Sequence, residues 1–206
     1  MKILEPEHWE RREIFEFFSG VSQPFYTLSF NLDVSRLYDF AHERGISFYL
    51  ACVWVVSRAV NSVPAFLISL EKGELVQLEG RSPSFTDMKP GSECFHIVST
   101  HAEDDIESFC RRAKKLSLEQ SCFIDCEKES SSLIYISCLP WLELSCATNE
   151  RNFDRDDSVP RVTWGKYFDR DGRKMLNFSL EVNHRFIDGV HAGQLAQAME
   201  GIIKAL

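Results

Sequence analysis

The segment Asn183-His184-Arg185-Phe186-Ile187-Asp188-Gly189 carries the residue types best suited to chemistry in this chain. An imidazole that is neutral near pH 7 can take a proton from a hydroxyl or a thiol. Asp188, four residues on, can orient the turn or neutralise a cation, and Gly189 permits a tight entry into a following helix. Two other readings of the same residues stay open at this point. His184 and Asp188, with or without His191, could ligate a metal, although no second cluster completes such a site. His184 could also be a structural histidine at a strand–helix junction.

The elements around this segment must position it. Residues 173–183 alternate strictly, with Leu176, Phe178, Leu180 and Val182 on one face and Asn177, Ser179, Glu181 and Asn183 on the other. That period of two predicts a strand ending just before His184. Residues 189–206 follow as an amphipathic helix with the stripe Leu195, Ala198, Met199, Ile202, Ile203 and Leu206. A catalytic imidazole would thus sit where a strand holds its backbone and a helix begins.

Upstream, residues 8–18 read as a helix bearing Trp9, Phe15 and Phe18, and residues 25–32 as a strand with Tyr26, Leu28, Phe30 and Leu32 on one face. Asp33 reads as the N-cap of a helix ending at Gly45, and Ser47 as the cap of a buried helix running to about Ser62. Glu71-Lys72-Gly73-Glu74 joins two short apolar runs as a hairpin. Residues 95–100 read as a strand and 104–118 as a helix with an acidic start and a basic end. Strands are expected at 133–138 and 142–147, on either side of Pro140-Trp141, with a polar loop over 148–160. Residues 161–168 pair with 173–183 across Asp169-Arg170-Asp171-Gly172. Helices and strands mix without regular alternation. The expected class is α+β, two-layered, a mixed β-sheet with helices packed on it, in one domain spanning residues 1–206.

Composition excludes several alternatives. With 23 basic and 31 acidic residues, the net charge of −8 argues against a nucleic-acid surface, which needs clustered Lys and Arg. The longest apolar run, residues 48–56, is far short of the roughly 20 residues a membrane span needs. The N-terminus has no basic region followed by an apolar one, so no signal peptide is expected. The seven cysteines are odd in number and scattered, and Cys122 and Cys126 have no matching second pair at zinc-site spacing. Reduced thiols in a cytoplasmic protein are the expectation. Phenylalanine is over-used, at 16 residues against 4 Trp and 5 Tyr, which predicts an aromatic core or pocket.

His-x-x-x-Asp-Gly after a strand and before an amphipathic helix resembles the motif of the chloramphenicol acetyltransferases, shared with dihydrolipoamide acyltransferase catalytic domains. Further segments resemble the former in order: Trp9-Glu10-Arg11-Arg12-Glu13-Ile14-Phe15-Glu16-Phe17-Phe18, the buried helix of residues 48–61, Glu71-Lys72-Gly73-Glu74-Leu75, Pro83-Ser84-Phe85-Thr86, Leu139-Pro140-Trp141 and Thr163-Trp164-Gly165-Lys166-Tyr167. The resemblance implies an enzyme that moves an acetyl group from acetyl-CoA to a hydroxyl of a small acceptor such as chloramphenicol, with antibiotic resistance as its role and no metal. His184 would be the general base, Asp188 and Arg11 a structural ion pair, and Thr163 the holder of a water near the tetrahedral intermediate. Phe18 and Phe95 would line the acceptor pocket, and Lys166 and Tyr167 would lie near CoA. A homotrimer with active sites between subunits is also implied.

Two departures qualify the resemblance. Glu143 stands where the drug-modifying members carry a Ser that donates to the oxyanion. Ser145, on the same face of the expected strand, could substitute. Asn183 replaces a frequent second His and looks more like the dihydrolipoamide acyltransferase version. Two alternatives therefore accompany the leading reading: an acyltransferase for a thiol or amine acceptor, and a trimeric ligand-binding homologue with weak or absent turnover.

Overall fold

The computed structural model describes residues 1–152, 154 and 156–206. Its main sheet is mixed. It contains β2 (Phe25–Asp33), β5 (Ser82–Met88), β6 (Phe95–Ser99), β7 (Leu133–Cys138), β8 (Arg161–Trp164), β9 (Phe168–Arg170) and β10 (Arg173–Asn183). The order is β2-β10-β8-β7-β5-β6, with β9 also on β10. β7 runs parallel to β5 and β8, and the remaining pairs are antiparallel. A small second sheet joins β1 (Lys2–Ile3), β4 (Glu74–Gln77) and β3 (Ile68–Glu71). The helices are α1 (Arg12–Ser19), α2 (Ser35–Glu43), α3 (Phe48–Ser62), α4 (Ile106–Glu119) and α5 (Gly189–Lys204). No helix among the described residues is long and apolar enough to cross a membrane. The α+β class with helices on a mixed sheet is as expected from the sequence.

The core lies between the sheet and α3, which packs against α2, α4 and α5. α3 is apolar on most of its circumference, and Ser47 caps it by accepting from the Leu50 N–H. β10 contributes Leu176, Phe178, Leu180 and Val182 to this core. These lie in register with Leu32, Phe30, Leu28 and Tyr26 of β2, so the two period-two patterns face the same layer. On the reverse face the register brings Ser29 opposite Ser179 and Asn31 opposite Asn177, and both side-chain pairs are hydrogen-bonded.

The first helix is shorter than expected. Pro6–His8 forms a 3-10 turn, Trp9 is extended, and the α-helix begins only at Arg12. Asp33 belongs to β2 rather than capping α2 as its N-cap residue, yet its carboxylate accepts from the main-chain N–H and hydroxyl of Ser35 at the start of that helix. The 71–74 hairpin forms with Lys72 and Gly73 both at positive φ, the pairing a tight two-residue turn requires.

Residues 142–147 are not a strand. They form part of an irregular strap over residues 139–152 that crosses the reverse face of β8 and β10. Its main-chain groups are satisfied singly rather than by a ladder. Lys166 donates its N–H to the Leu142 carbonyl at 2.6 Å, Ala147 donates to Ser179 Oγ at 2.9 Å, and Asn149 to Glu181 Oε2 at 3.0 Å. The alternation in Leu142-Glu143-Leu144-Ser145 imitates a strand, but the polar row of β10 supplies other partners for the backbone. Ser179, Glu181 and Asn183, of the polar row in the alternation, are buried as well. Phe153 and Arg155 of the expected 148–160 loop lie outside the described residues.

Candidate active site

His184 follows the last residue of β10 and its main-chain N–H donates to the Pro24 carbonyl at 2.7 Å. The chain then turns: the N–H groups of Phe186 and Ile187 return to the Asn183 carbonyl. Phe186 and Ile187 are buried, which anchors the turn in the core. The imidazole itself is 33% exposed, so a ligand can reach it.

Two aromatic rings clamp that imidazole. Phe18, from the last turn of α1, stacks on it with centroids 4.0 Å apart and planes 25° apart. Tyr26 of β2 lies 4.3 Å away at 34°. The Tyr26 hydroxyl donates to the Ile187 carbonyl at 3.1 Å, tying ring and turn together. Burial pushes the Tyr26 phenol up to about 12, and nearby Asp188 acts in the same direction. Tyr26 therefore stays a neutral wall.

Asp188 sits at the N-cap of α5. The Arg11 guanidinium grips it with two nitrogens, Nη1 on Oδ2 and Nη2 on Oδ1 at 3.1 Å. The side chains are 15% and 26% exposed, so the bidentate pair is partly shielded from water. Hydrogen bonding from Arg11 holds the Asp188 carboxyl below its ordinary range, against the opposing effect of burial. His184 Nε2 lies 3.4 Å from Asp188 Oδ1, long for a hydrogen bond. The carboxylate is already engaged by Arg11, and the Asp188 N–H occupies Nδ1 of His191. These engagements leave the metal-site reading of His184, Asp188 and His191 without support, and no group of three or more ligating side chains occurs among the described residues.

The remaining expected site residues do not gather around His184 within one protomer. Thr163 on β8 pairs with Ser179, five residues before His184 on β10, which places it roughly 17 Å away along the strand. It is buried, and its hydroxyl donates to Asn149 Oδ1 at 3.0 Å. Glu143 and Ser145 are exposed on the strap, and the regular-strand argument linking them lapses with the strand. Phe95 lies on the edge strand β6, four strand spacings or roughly 19 Å across the sheet from β10, against Phe123. Lys166 is exposed. Tyr167 packs on Tyr38 and Phe48, with the Lys174 ammonium 4.8 Å from its ring. Two half-sites result: Arg11, Phe18, Tyr26, His184 and Asp188 at one end of β10, and Thr163 with the strap farther along it.

Sequence reasoning missed Tyr26, whose place in an apolar alternation marked it only as core. It also missed the buried network under the strap. Arg151 pairs with Glu181, their side chains 3% and 7% exposed, and lies 3.6 Å over the Phe25 ring. Asp157 receives Arg151 and Arg161, and its carbonyl accepts from Asn183, the neighbour of His184. Glu181 offered a signal, being a charged residue in the best-patterned strand. Arg151, in a polar stretch, offered none.

This architecture is shared with solved acetyltransferases of two kinds. A solved chloramphenicol acetyltransferase superposes with a TM-score of 0.90 at 23% identity, covering 98% of this chain and 100% of that one. A probable dihydrolipoamide acetyltransferase from Listeria monocytogenes superposes with a TM-score of 0.65 at 14% identity, covering 96% and 92%. Residues 1–200 match the family described as chloramphenicol acetyltransferase, and the chain belongs to that family. The chloramphenicol acetyltransferase of Bacillus pumilus is 25% identical over 210 residues, covering 96% of this chain and 91% of the relative. That of Staphylococcus aureus is 22% identical, covering 98% and 95%. Membership supports acetyl-CoA-dependent acyl transfer at the level of the family.

Proposed function

We propose that this protein, as a single domain over residues 1–206, transfers the acetyl group of acetyl-CoA to a hydroxyl of a small acceptor, chloramphenicol or a molecule like it. The observation that carries this reading is the His184 imidazole, clamped by Phe18 and Tyr26 and set beside the Arg11–Asp188 pair. His184 takes the proton of the acceptor hydroxyl as its oxygen attacks the thioester carbonyl. Asp188, 3.4 Å away, stabilises the imidazolium that forms. The tetrahedral intermediate collapses, expels the CoA thiolate, and the imidazolium returns the proton to that sulfur. Arg11 and Asp188 position the turn, and Thr163 orders a water at the intermediate. Exposed Lys166, with Tyr167 and Lys174 beside it, is the place for CoA and its phosphates.

The separation of the half-sites supports a homotrimer in which His184 of one protomer meets Thr163, Glu143, Ser145 and Phe95 of its neighbour. Apolar side chains stand exposed on both halves: Phe17 and Val190 beside the His184 turn, Trp141 and Leu142 on the strap. Acetyl-CoA consumption with a panel of acceptors tests the reading, with chloramphenicol and dihydrolipoamide in parallel. His184→Ala should lower turnover by about 10²–10⁴. Equal turnover in wild type and variant, or none with any acceptor, overturns it.

A second reading rests on Glu143. An ionised carboxylate there donates nothing to an oxyanion, which suits a trimer that binds CoA or an apolar ligand without turnover. Ligand-induced thermal stabilisation without acetyl-CoA consumption favours that reading. A rate that rises in Glu143→Ser favours the enzyme, and a rate that falls in Ser145→Ala assigns the donor to Ser145.

A further inference from the structure

The turn between β10 and α5 holds a second imidazole that the reaction above does not use. His191 lies in the first turn of α5, and its Nδ1 accepts the main-chain N–H of Asp188 at 2.9 Å. To accept there the ring must be neutral, with its proton on Nε2. The amide it holds belongs to the residue whose carboxylate grips Arg11 and approaches His184. Arg11 thus fixes Asp188 by its side chain, and His191 fixes it by its backbone.

We propose that His191 is a proton-sensitive positioning residue: neutral, it locks the Asp188 backbone and the turn that presents His184, and protonated, it releases both. The activity arm of its test rests on the acetyl-transfer reading, and the spectroscopic arm does not. A proton on Nδ1 would face the Asp188 N–H, so donor would meet donor and the contact would be lost. The titratable groups gathered at this turn are Arg11 from α1, Tyr26 from β2, and Asp188 and His184 from the turn itself. Burial lowers the His191 pKa from 6.5, the Arg11 charge lowers it further, and Asp188 opposes them. Since the folded value lies below the unfolded one, the folded state binds fewer protons between the two, and acid weakens this lock as the pH drops below about 6.5. The contact is therefore intact at neutral pH and opens as the pH falls through the lowered folded value.

His191→Asn offers Oδ1 near the place of Nδ1, an acceptor that does not titrate. The variant should keep the wild-type kcat/KM within about threefold at pH 8, whereas His191→Ala should lose about tenfold or more at every pH. In acid, wild-type kcat/KM should fall about tenfold further than that of His191→Asn, the loss seen in His191→Ala, as His191 takes its proton. Acid profiles that run parallel in wild type and His191→Asn, or a His191→Asn rate at pH 8 as low as that of His191→Ala, overturn the proposal. Nitrogen NMR of the full chain gives the second readout. Nδ1 of His191 should be unprotonated at pH 7.5, and the Asp188 amide shift should follow the His191 titration. A proton on Nδ1, or an Asp188 amide indifferent to that titration, overturns the proposal too. If no acceptor is acetylated, acetyl transfer falls while the NMR experiment still decides the role of His191. If His191→Asn does not fold, the wild-type spectra decide it.

Discussion

The His184 turn and the 139–152 strap hang on the same strand, β10, and are held by opposite means. The turn continues the strand directly. Its donors return to a carbonyl three or four residues back, Phe186 and Ile187 anchor it in the core, and one partly shielded pair, Arg11–Asp188, secures it. The strap reaches β10 from elsewhere in the chain. It is fastened through Ser179 and Glu181 side chains and through Arg151, buried between Glu181 and the Phe25 ring. Local construction makes the turn tolerant of losses outside it, while the strap depends on a few buried charges. Removing one partner of a buried pair leaves an unpaired charge in a low-dielectric setting, which costs far more than losing an exposed pair.

The largest test of this contrast is Glu181→Ala, expected to cost about 3 kcal/mol of unfolding free energy in urea melts by leaving the buried Arg151 only its 3.4 Å contact to Asp157, which Arg161 shares. The double variant with Arg151→Ala should lose less than the sum of the singles. A loss below about 1 kcal/mol would show that the strap is held by something else. Next comes Gly165→Ala. A Cβ at Gly165 would stand 2.2 Å from the Leu142 carbonyl and 2.8 Å from Leu144 Cγ, so the strap must lift. About 1–3 kcal/mol is expected, with the loss felt at Glu143 and Thr163 rather than at His184. Unchanged stability would mean that the strap crosses β8 less tightly than the geometry gives.

Asp188→Asn probes the turn and should cost less, about 1–2 kcal/mol at pH 7, because the Arg11 pair is partly hydrated. Its pH dependence carries a defined sign. The folded Asp188 carboxyl is depressed below 3.8, chiefly by the Arg11 hydrogen bond. The stabilisation is therefore complete above the unfolded value and disappears as pH falls through the folded one. The difference between wild type and Asp188→Asn should thus be constant from pH 7 to about 5 and shrink below about pH 4. A gap that widens in acid would reverse the assignment. The smallest effect belongs to Glu143→Ser, which alters an exposed side chain and should leave stability within about 0.5 kcal/mol while changing the rate.

The same contrast explains what could be read from the chain. β2 and α5 were legible because each buries one face, and burial writes a period of 2 or 3.6 into the residues; β10 was legible because its core face is apolar and its other face polar, and α3 from its long apolar run. Ser47 was legible as a cap because its role is local. His184, Asp188 and Arg11 were legible through a resemblance in motif, and the structure places the three together. The strap was misread because Leu142-Glu143-Leu144-Ser145 has a strand's alternation without a strand's partner. No period announces a backbone N–H that pairs with a serine or glutamate side chain from another element.

By itself the sequence determined the α+β class, the strand that ends just before His184 and the helix that follows, since each follows from local propensity or one-sided burial, and it carried the family motif by resemblance. Only the tertiary structure decided that Tyr26 and Phe18 close on the imidazole, that Arg151 and Glu181 lie buried together, and that Thr163 and Phe95 stand far from His184 within one protomer. Those distances depend on strand order and register, which are set by how distant segments pack.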